Sequence, residues 1–154
     1  MMHKIRYRAI MAAVMISAVC IGGCTHNNGD IGPWFGTWKL DSMTVDGAHD
    51  TEYADNVIWK FQANIMSMVR VSGNHGRYEV YGTWSEPQAD VLRIEFIYSD
   101  NNTPAGTMRY SPLPETHLPP GISDLDILEM KGGKLHLEYQ SPEGTVYGYF
   151  LTKW

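Results

Sequence analysis

The sequence predicts an all-β domain, an antiparallel up-and-down meander closed into a small eight-stranded barrel. Two observations carry this. Short runs with apolar residues at every second position recur along the chain, which is the period of a strand with one buried face. Between them lie turn residues such as Asp46-Gly47, Glu86-Pro87, Lys131-Gly132-Gly133 and Pro142-Glu143-Gly144, which favour chain reversal. After Pro33 no stretch sustains helical spacing for three turns. A small meander protects its edges most simply by closing on itself.

The elements follow in order. Strands are expected near Trp34–Val45, Val57–Phe61, Ile65–Val71, Tyr78–Trp84, Val91–Tyr98, Ser123–Met130, Lys134–Tyr139 and Thr145–Trp154, with Thr107–Tyr110 a further short candidate. The clearest is Val91–Tyr98. Leu92, Ile94, Phe96 and Tyr98 share one face, and Arg93 and Glu95 the other. Lys134–Tyr139 repeats the pattern, and Tyr78, Val80 and Trp84 line one side of their strand. Lys131-Gly132-Gly133-Lys134 is the strongest hairpin signal. Ala48–Asn56 is polar and suits either a long first loop or a short helix. Ser111–Gly121 holds four of the eight prolines, so it cannot be a central strand. It reads as an extended surface loop, either a rim near the barrel mouth or a rigid connector.

The front of the chain is different. Lys4, Arg6 and Arg8 precede Ala9–Gly23, which carries no charge. This is a positive segment followed by an apolar one, shorter than the ~20 residues that span a bilayer. The run ends Ile21-Gly22-Gly23-Cys24, where two glycines let the backbone lie close in a peptidase cleft. The pattern resembles the lipobox of bacterial lipoproteins. That resemblance implies a signal peptide over residues 1–23, cleavage before Cys24, and acylation of Cys24 with palmitate-type chains that attach the protein to the membrane. Two lipid signals already anchor stably. Thr25–Pro33 is polar and reads as a flexible tether, so the domain proper is 34–154. With Cys20 lost and Cys24 lipidated, the domain would contain no thiol and no disulfide. The expected location is the bacterial outer membrane. No acidic cluster follows Cys24, which favours a periplasm-facing position over surface exposure.

Charge removes one class of function. Three of the twelve basic residues lie in the first eight positions, leaving nine against seventeen acidic ones, a formal charge of −8. No basic stripe remains for phosphates, so no nucleic-acid partner is expected. Catalysis and metal binding find little support. There is no Gly-x-Ser-x-Gly, no His-Glu-x-x-His and no phosphate loop. The mature histidines are scattered, whereas zinc needs three or four converging ligands. Asp124-x-Asp126 would place two carboxylates on one strand face, suiting a calcium ion or an acid–base pair, but a solvated strand end explains them as well. Met66-x-Met68 could hold Cu(I), yet methionine is an ordinary core filler. No cofactor, catalytic residue or metal ligand is assigned.

At Gly36-Thr37-Trp38 the sequence resembles the lipocalins and the wider calycin group, where Gly-x-Trp opens the first strand just after a tether. Gly82-Thr83-Trp84, Asp126–Met130, Lys134-Leu135-His136-Leu137 and the terminal Phe150-x-x-Lys153 follow in order. Together these look like the lipocalin-like lipoproteins of Bacteroides-type bacteria, over most of residues 34–154. The resemblance implies that Trp38 packs across the closed end of the barrel, that Gly36 lets the strand bend, and that Lys153 lies over the tryptophan. It also implies a cup for small, mostly apolar molecules.

The aromatic residues bear on function most directly. Tyr78, Trp84, Phe96, Tyr98 and Tyr139 are the candidates for lining the cup. The last strand is apolar on both faces: Val146, Phe150 and Trp154 on one, Tyr147, Tyr149 and Leu151 on the other. The expected function is binding of a small hydrophobic or amphipathic ligand without catalysis, in a lipid-anchored envelope protein. The alternative is a solid barrel that recognises a protein or glycan.

Overall fold

The strands pair in an antiparallel sense round a closed sheet, in which the first also pairs with the last. In a computed structural model, which describes residues 32–97 and 110–154, the strands are β1 (Gly36–Val45), β2 (Ala48–His49), β3 (Val57–Gln62), β4 (Ile65–Val71), β5 (Arg77–Gln88), β6 (Val91–Phe96), β7 (Gly121–Lys131), β8 (Lys134–Gln140) and β9 (Val146–Lys153). The order β1-β3-β4-β5-β6-β7-β8-β9 closes through β1–β9, from Trp38↔Lys153 to Val45↔Tyr147. The two-residue β2 only extends a hairpin off β1. This is the expected eight-stranded barrel, with one extra strand. The expected signal peptide, the expected lipidation site Cys24 and most of the expected tether lie outside the described residues, as do Tyr98 and residues 107–109.

The period-two pattern sets the inward face. Trp38, Leu40, Val57, Trp59, Phe61, Met66, Met68, Val80, Leu92, Ile94, Phe96, Leu125, Leu135, Leu137, Tyr139, Tyr149 and Leu151 are buried in a single core. Met66 and Met68 are fully buried, while Ile65 and Val71 on the other face are exposed, so the methionines fill the core. Register slips between Leu40 and Ser42, Ser85 and Gln88, and Ile127 and Glu129. Such bulges bend strands and increase their twist, as closure requires. The bulge in β1 explains why Met43, three residues beyond Leu40, is the next buried side chain.

The turns behave as their residues dictate. Asp46 and Gly47 both have positive φ (50° and 79°), as do Gly132 and Gly133 (61° and 75°), the geometry of a tight two-residue hairpin. Gly82 serves the wall itself. A Cβ there would lie 2.7 Å from the Glu95 carbonyl oxygen and 3.3 Å from the Phe96 ring. The absent side chain is what allows Phe96 to lie over β5.

Ala48–Asn56 contains no helix among the described residues; it is β2 followed by turns. Tyr53 gives this polar loop its anchor. Its hydroxyl donates to the Leu40 carbonyl (2.6 Å) and accepts from the Val57 amide (3.2 Å). It thus joins β1 and β3 where their direct pairing, which runs from Gly36↔Phe61 to Lys39↔Ile58, stops.

Candidate functional site

The two ends of the barrel are closed differently. At the end where β1 starts, aromatic rings seal the base. Trp34, just ahead of β1, lies 5.2 Å from Phe61 and 5.5 Å from Trp84, and Phe61 meets Trp84 edge-on at 5.4 Å. The Trp38 indole donates to the Trp34 carbonyl at 2.9 Å. Lys153 Nζ sits 5.2 Å from the Trp38 ring centre and donates to the Pro33 carbonyl at 2.8 Å. Gly36 has φ 121° and its α-carbon faces the Lys153 side chain. Gly36, Trp38 and Lys153 are therefore gathered at one end.

At the opposite end a loop segment joins the core. The proline-rich stretch was expected to run over the surface, but it turns inward. Its apolar residues drive this: Leu113 and Thr116 are fully buried and Leu118 is 6% exposed. A single 3-10 turn, Pro114–Thr116, shapes it. Tyr149 Oη donates to the Thr116 carbonyl at 2.8 Å, and the Thr116 hydroxyl donates to the Leu113 carbonyl at 2.7 Å. Prolines fix the backbone without barring it from the interior, because a segment outside the sheet needs no ladder of amide donors.

The rim of this mouth is tyrosine-rich. His117 stacks on Tyr147 at 4.9 Å, and Tyr147 on Tyr139 at 6.3 Å. Tyr78 lies under the Arg70 guanidinium, 5.4 Å from its carbon. Arg70 shares the inward parity of Met66 and Met68, and at the rim it pairs with Glu115 of the inserted segment, Nη1 standing 3.3 Å from both carboxylate oxygens. His117 Nε2 lies 3.2 Å from Asp50 Oδ2. The segment is thus held by two polar contacts at its margins, one buried tyrosine hydrogen bond and its leucines.

Several carboxylates titrate low for identifiable reasons. Burial pushes Asp50 upward, but the Glu52 amide, His117 and the Tyr53 amide outweigh it and hold the pKa below the ordinary value. Glu79, on the outer wall, is likewise raised by burial but brought lower overall by Ser67, Lys60 and Arg77. Asp124 is lowered chiefly by its two-pronged bond from Arg93, at 2.7 Å on each arm. Burial raises Tyr149 and Tyr139. The three carboxylates are lower in the folded state than in the unfolded chain, so they stabilise it above their unfolded pKa. That contribution disappears as pH falls through the depressed folded values. The urea midpoint is expected to hold steady from pH 7 down to about 4.5 and to fall below that.

Of the residues expected to line a cup, Tyr78 and Tyr139 stand at the mouth. Phe96 is buried in the wall against Gly82, and Tyr98 lies outside the described residues. Trp84 belongs to the sealed base with Trp34 and Phe61, so it does not share a site with the two tyrosines. The reason is register. Trp84 pairs with Ile94 near the β5–β6 turn, whereas Tyr78 pairs with Arg70 at the other end of β5. Sequence reasoning missed Arg70, although it extends the Met66-x-Met68 alternation by one step. It also missed Leu113 and Leu118, whose signal is an apolar side chain between prolines. Asp124 is taken up by Arg93. The outer face of β9 is covered in part by His136, which stacks on Phe150 at 4.1 Å.

Depressions lie on the outer wall. One, of about 410 Å³, is lined by Ile58, Val69, Val71 and Trp154 with Lys60 and Arg77 beside them. A second of about 190 Å³ shares Ile58, Val71 and Trp154. The third, about 260 Å³, lies among Asp41, Glu129, Lys134 and His136. Inside, the indole N–H groups of Trp34, Trp59 and Trp84 are buried with no acceptor among the described residues.

No family model matches the chain, and no curated protein matches it. Solved structures do. A lipocalin-like protein from Bacteroides uniformis is similar at 21% identity and a TM-score of 0.56, over 80% of this chain and 100% of the other. A protein from Bacteroides eggerthii is similar at 17% identity and a TM-score of 0.53, over 79% of this chain and 99% of the other. A closed antiparallel barrel of eight strands, sealed at one end by Trp38 and its neighbours and similar to these Bacteroides structures over about four-fifths of the chain, is a lipocalin-like fold.

Proposed function

We propose that this protein is a lipid-anchored envelope carrier that binds a small hydrophobic or amphipathic molecule at the tyrosine-lined mouth, without chemical turnover. The observation that carries the reading is the inserted segment. The base is sealed by strand side chains together with Trp34, whereas the mouth is filled by two leucines from a loop of eleven residues, Ser111–Gly121, and a ligand can take the place of side chains that are not part of the wall. Binding would draw on apolar burial at about 25 cal/mol per Å². Attachment through acyl chains on Cys24, in the outer membrane and facing the periplasm, completes the proposal.

Native mass spectrometry of the purified Cys24→Ser protein titrated with 1-dodecanol tests the binding. A one-to-one adduct is expected, with hydrogen exchange altered in residues 112–118. Absence of any adduct at millimolar alcohol would defeat the carrier reading. Palmitate labelling in cells should be lost in the same variant. The second reading, a solid barrel that recognises a protein or glycan, is favoured by one observation. Trp154, 79% exposed, lines an outer depression of about 410 Å³.

A further inference from the structure

The outer wall of β3, β4 and β5 is sunk where a barrel surface is ordinarily flush with solvent. Pairing sets Ile58 against Val69 and Val71 against Arg77, all on the outward parity of their strands. Val69 is nonetheless 1% exposed and does not belong to the barrel core, so the side chains around it stand up as walls. Trp154 forms one side. Its amide donates to the Thr37 carbonyl at 2.8 Å, and the residue lines both the depression of about 410 Å³ and the one of about 190 Å³. The floor is thus apolar and carries one exposed aromatic ring.

The rim is polar but balanced. Lys60 and Arg77 meet on Glu79, at 3.1 and 2.9 Å, and Lys39 meets Asp55 at 2.9 Å and Asp41 at 3.5 Å. Three cations therefore face three carboxylates, and the rim offers no net charge to a phosphate or a sulfate. Hydrogen-bonding capacity is left over, because an ammonium has three N–H donors and a guanidinium five, while Lys60 and Arg77 each give one to Glu79. A stable protein interface takes about 20–30 residues a side, far more than the four apolar side chains of this floor. The volume lies instead within the roughly 300–1,000 Å³ of small-ligand sites. A neutral sugar ring matches each property. Its flat face is made of C–H groups, which sit on the negative face of an indole, and its edge is made of hydroxyls, which both give and accept hydrogen bonds.

We propose that this depression is a glycan site, in which one pyranose of a neutral oligosaccharide with equatorial hydroxyls stacks on Trp154 and turns its hydroxyls to Lys60 and Arg77. This rests on the second reading, recognition by the outer surface, and gives it a ligand class; it draws nothing from the mouth.

The test titrates cellohexaose and xylohexaose into the Cys24→Ser protein and follows amide chemical shifts. Shifts should gather around Thr37, Ile58 and Val71. Trp154→Ala should weaken binding about tenfold and Trp154→Phe only about twofold, since a smaller ring still stacks. Lys60→Met should weaken it about threefold or more. Absence of shifts with both sugars at millimolar concentration would overturn the proposal. So would tighter binding of dextran sulfate than of either sugar, or a dimer of the unliganded protein that Trp154→Ala dissolves, which would make the occupant a second copy. 1-Dodecanol added to the same samples separates the levels of failure. Inert sugars without an alcohol adduct would remove the glycan and leave the second reading its protein partner, whereas inert sugars with a one-to-one alcohol adduct would remove both.

Discussion

Replacing Trp38 with alanine should lower the stability of the barrel by about 3–5 kcal/mol, read as a shift in the urea midpoint with an unchanged slope. The ring is 2% exposed and lies in the sealed base, opposite Trp59 across the β1–β3 pairing. Its loss leaves a cavity that the surrounding wall cannot collapse to fill, because each neighbour is fixed by its own strand. It also strips the Trp34 carbonyl of its 2.9 Å donor and releases Trp34, which has no strand of its own. Lys153→Met removes only the ammonium above the ring, and should cost no more than about 0.5–1 kcal/mol. A comparable loss in both variants would mean that the charge, and not the ring, holds the base together.

Leu113→Asp should open the mouth while leaving the wall folded. Leu113 is fully buried, and a carboxylate there would need several kcal/mol of desolvation with no cation provided for it. The barrel has a cheaper response than unfolding, since the segment carries no ladder hydrogen bonds and can lift away. The cost is then limited to the free energy of local opening. Amide exchange is expected to accelerate by about a hundredfold or more in residues 113–118, with protection in β3, β4, β8 and β9 nearly unchanged. Global loss of protection would show instead that the segment is an inseparable part of the core, and the carrier reading would fall with it.

Most of the barrel was legible because burial on one face forces alternation, and alternation survives in the letters. Val91–Phe96 and Lys134–Gln140 could be read residue by residue. Closure of β9 on β1 was inferred from the need to protect edges, and the pairing from Trp38↔Lys153 to Val45↔Tyr147 meets it. What could not be read was height along the barrel axis. Trp84 and Tyr78 share a face of one strand, but only register, set by turns and bulges on neighbouring strands, puts them at opposite ends. The inserted segment was illegible for another reason. Prolines exclude a central strand, and that correct inference was extended to mean surface, which the leucines at 113 and 118 contradict. Tyr53 was hidden in a polar loop, where a hydroxyl bridging two backbones leaves no periodic trace.

Both chain ends of the described barrel emerge at its sealed base. Lys153 reaches the Pro33 carbonyl, and the Trp154 amide donates to the Thr37 carbonyl. A short linker fused after Trp154 therefore leaves from this base, the end opposite the tyrosine-rich mouth.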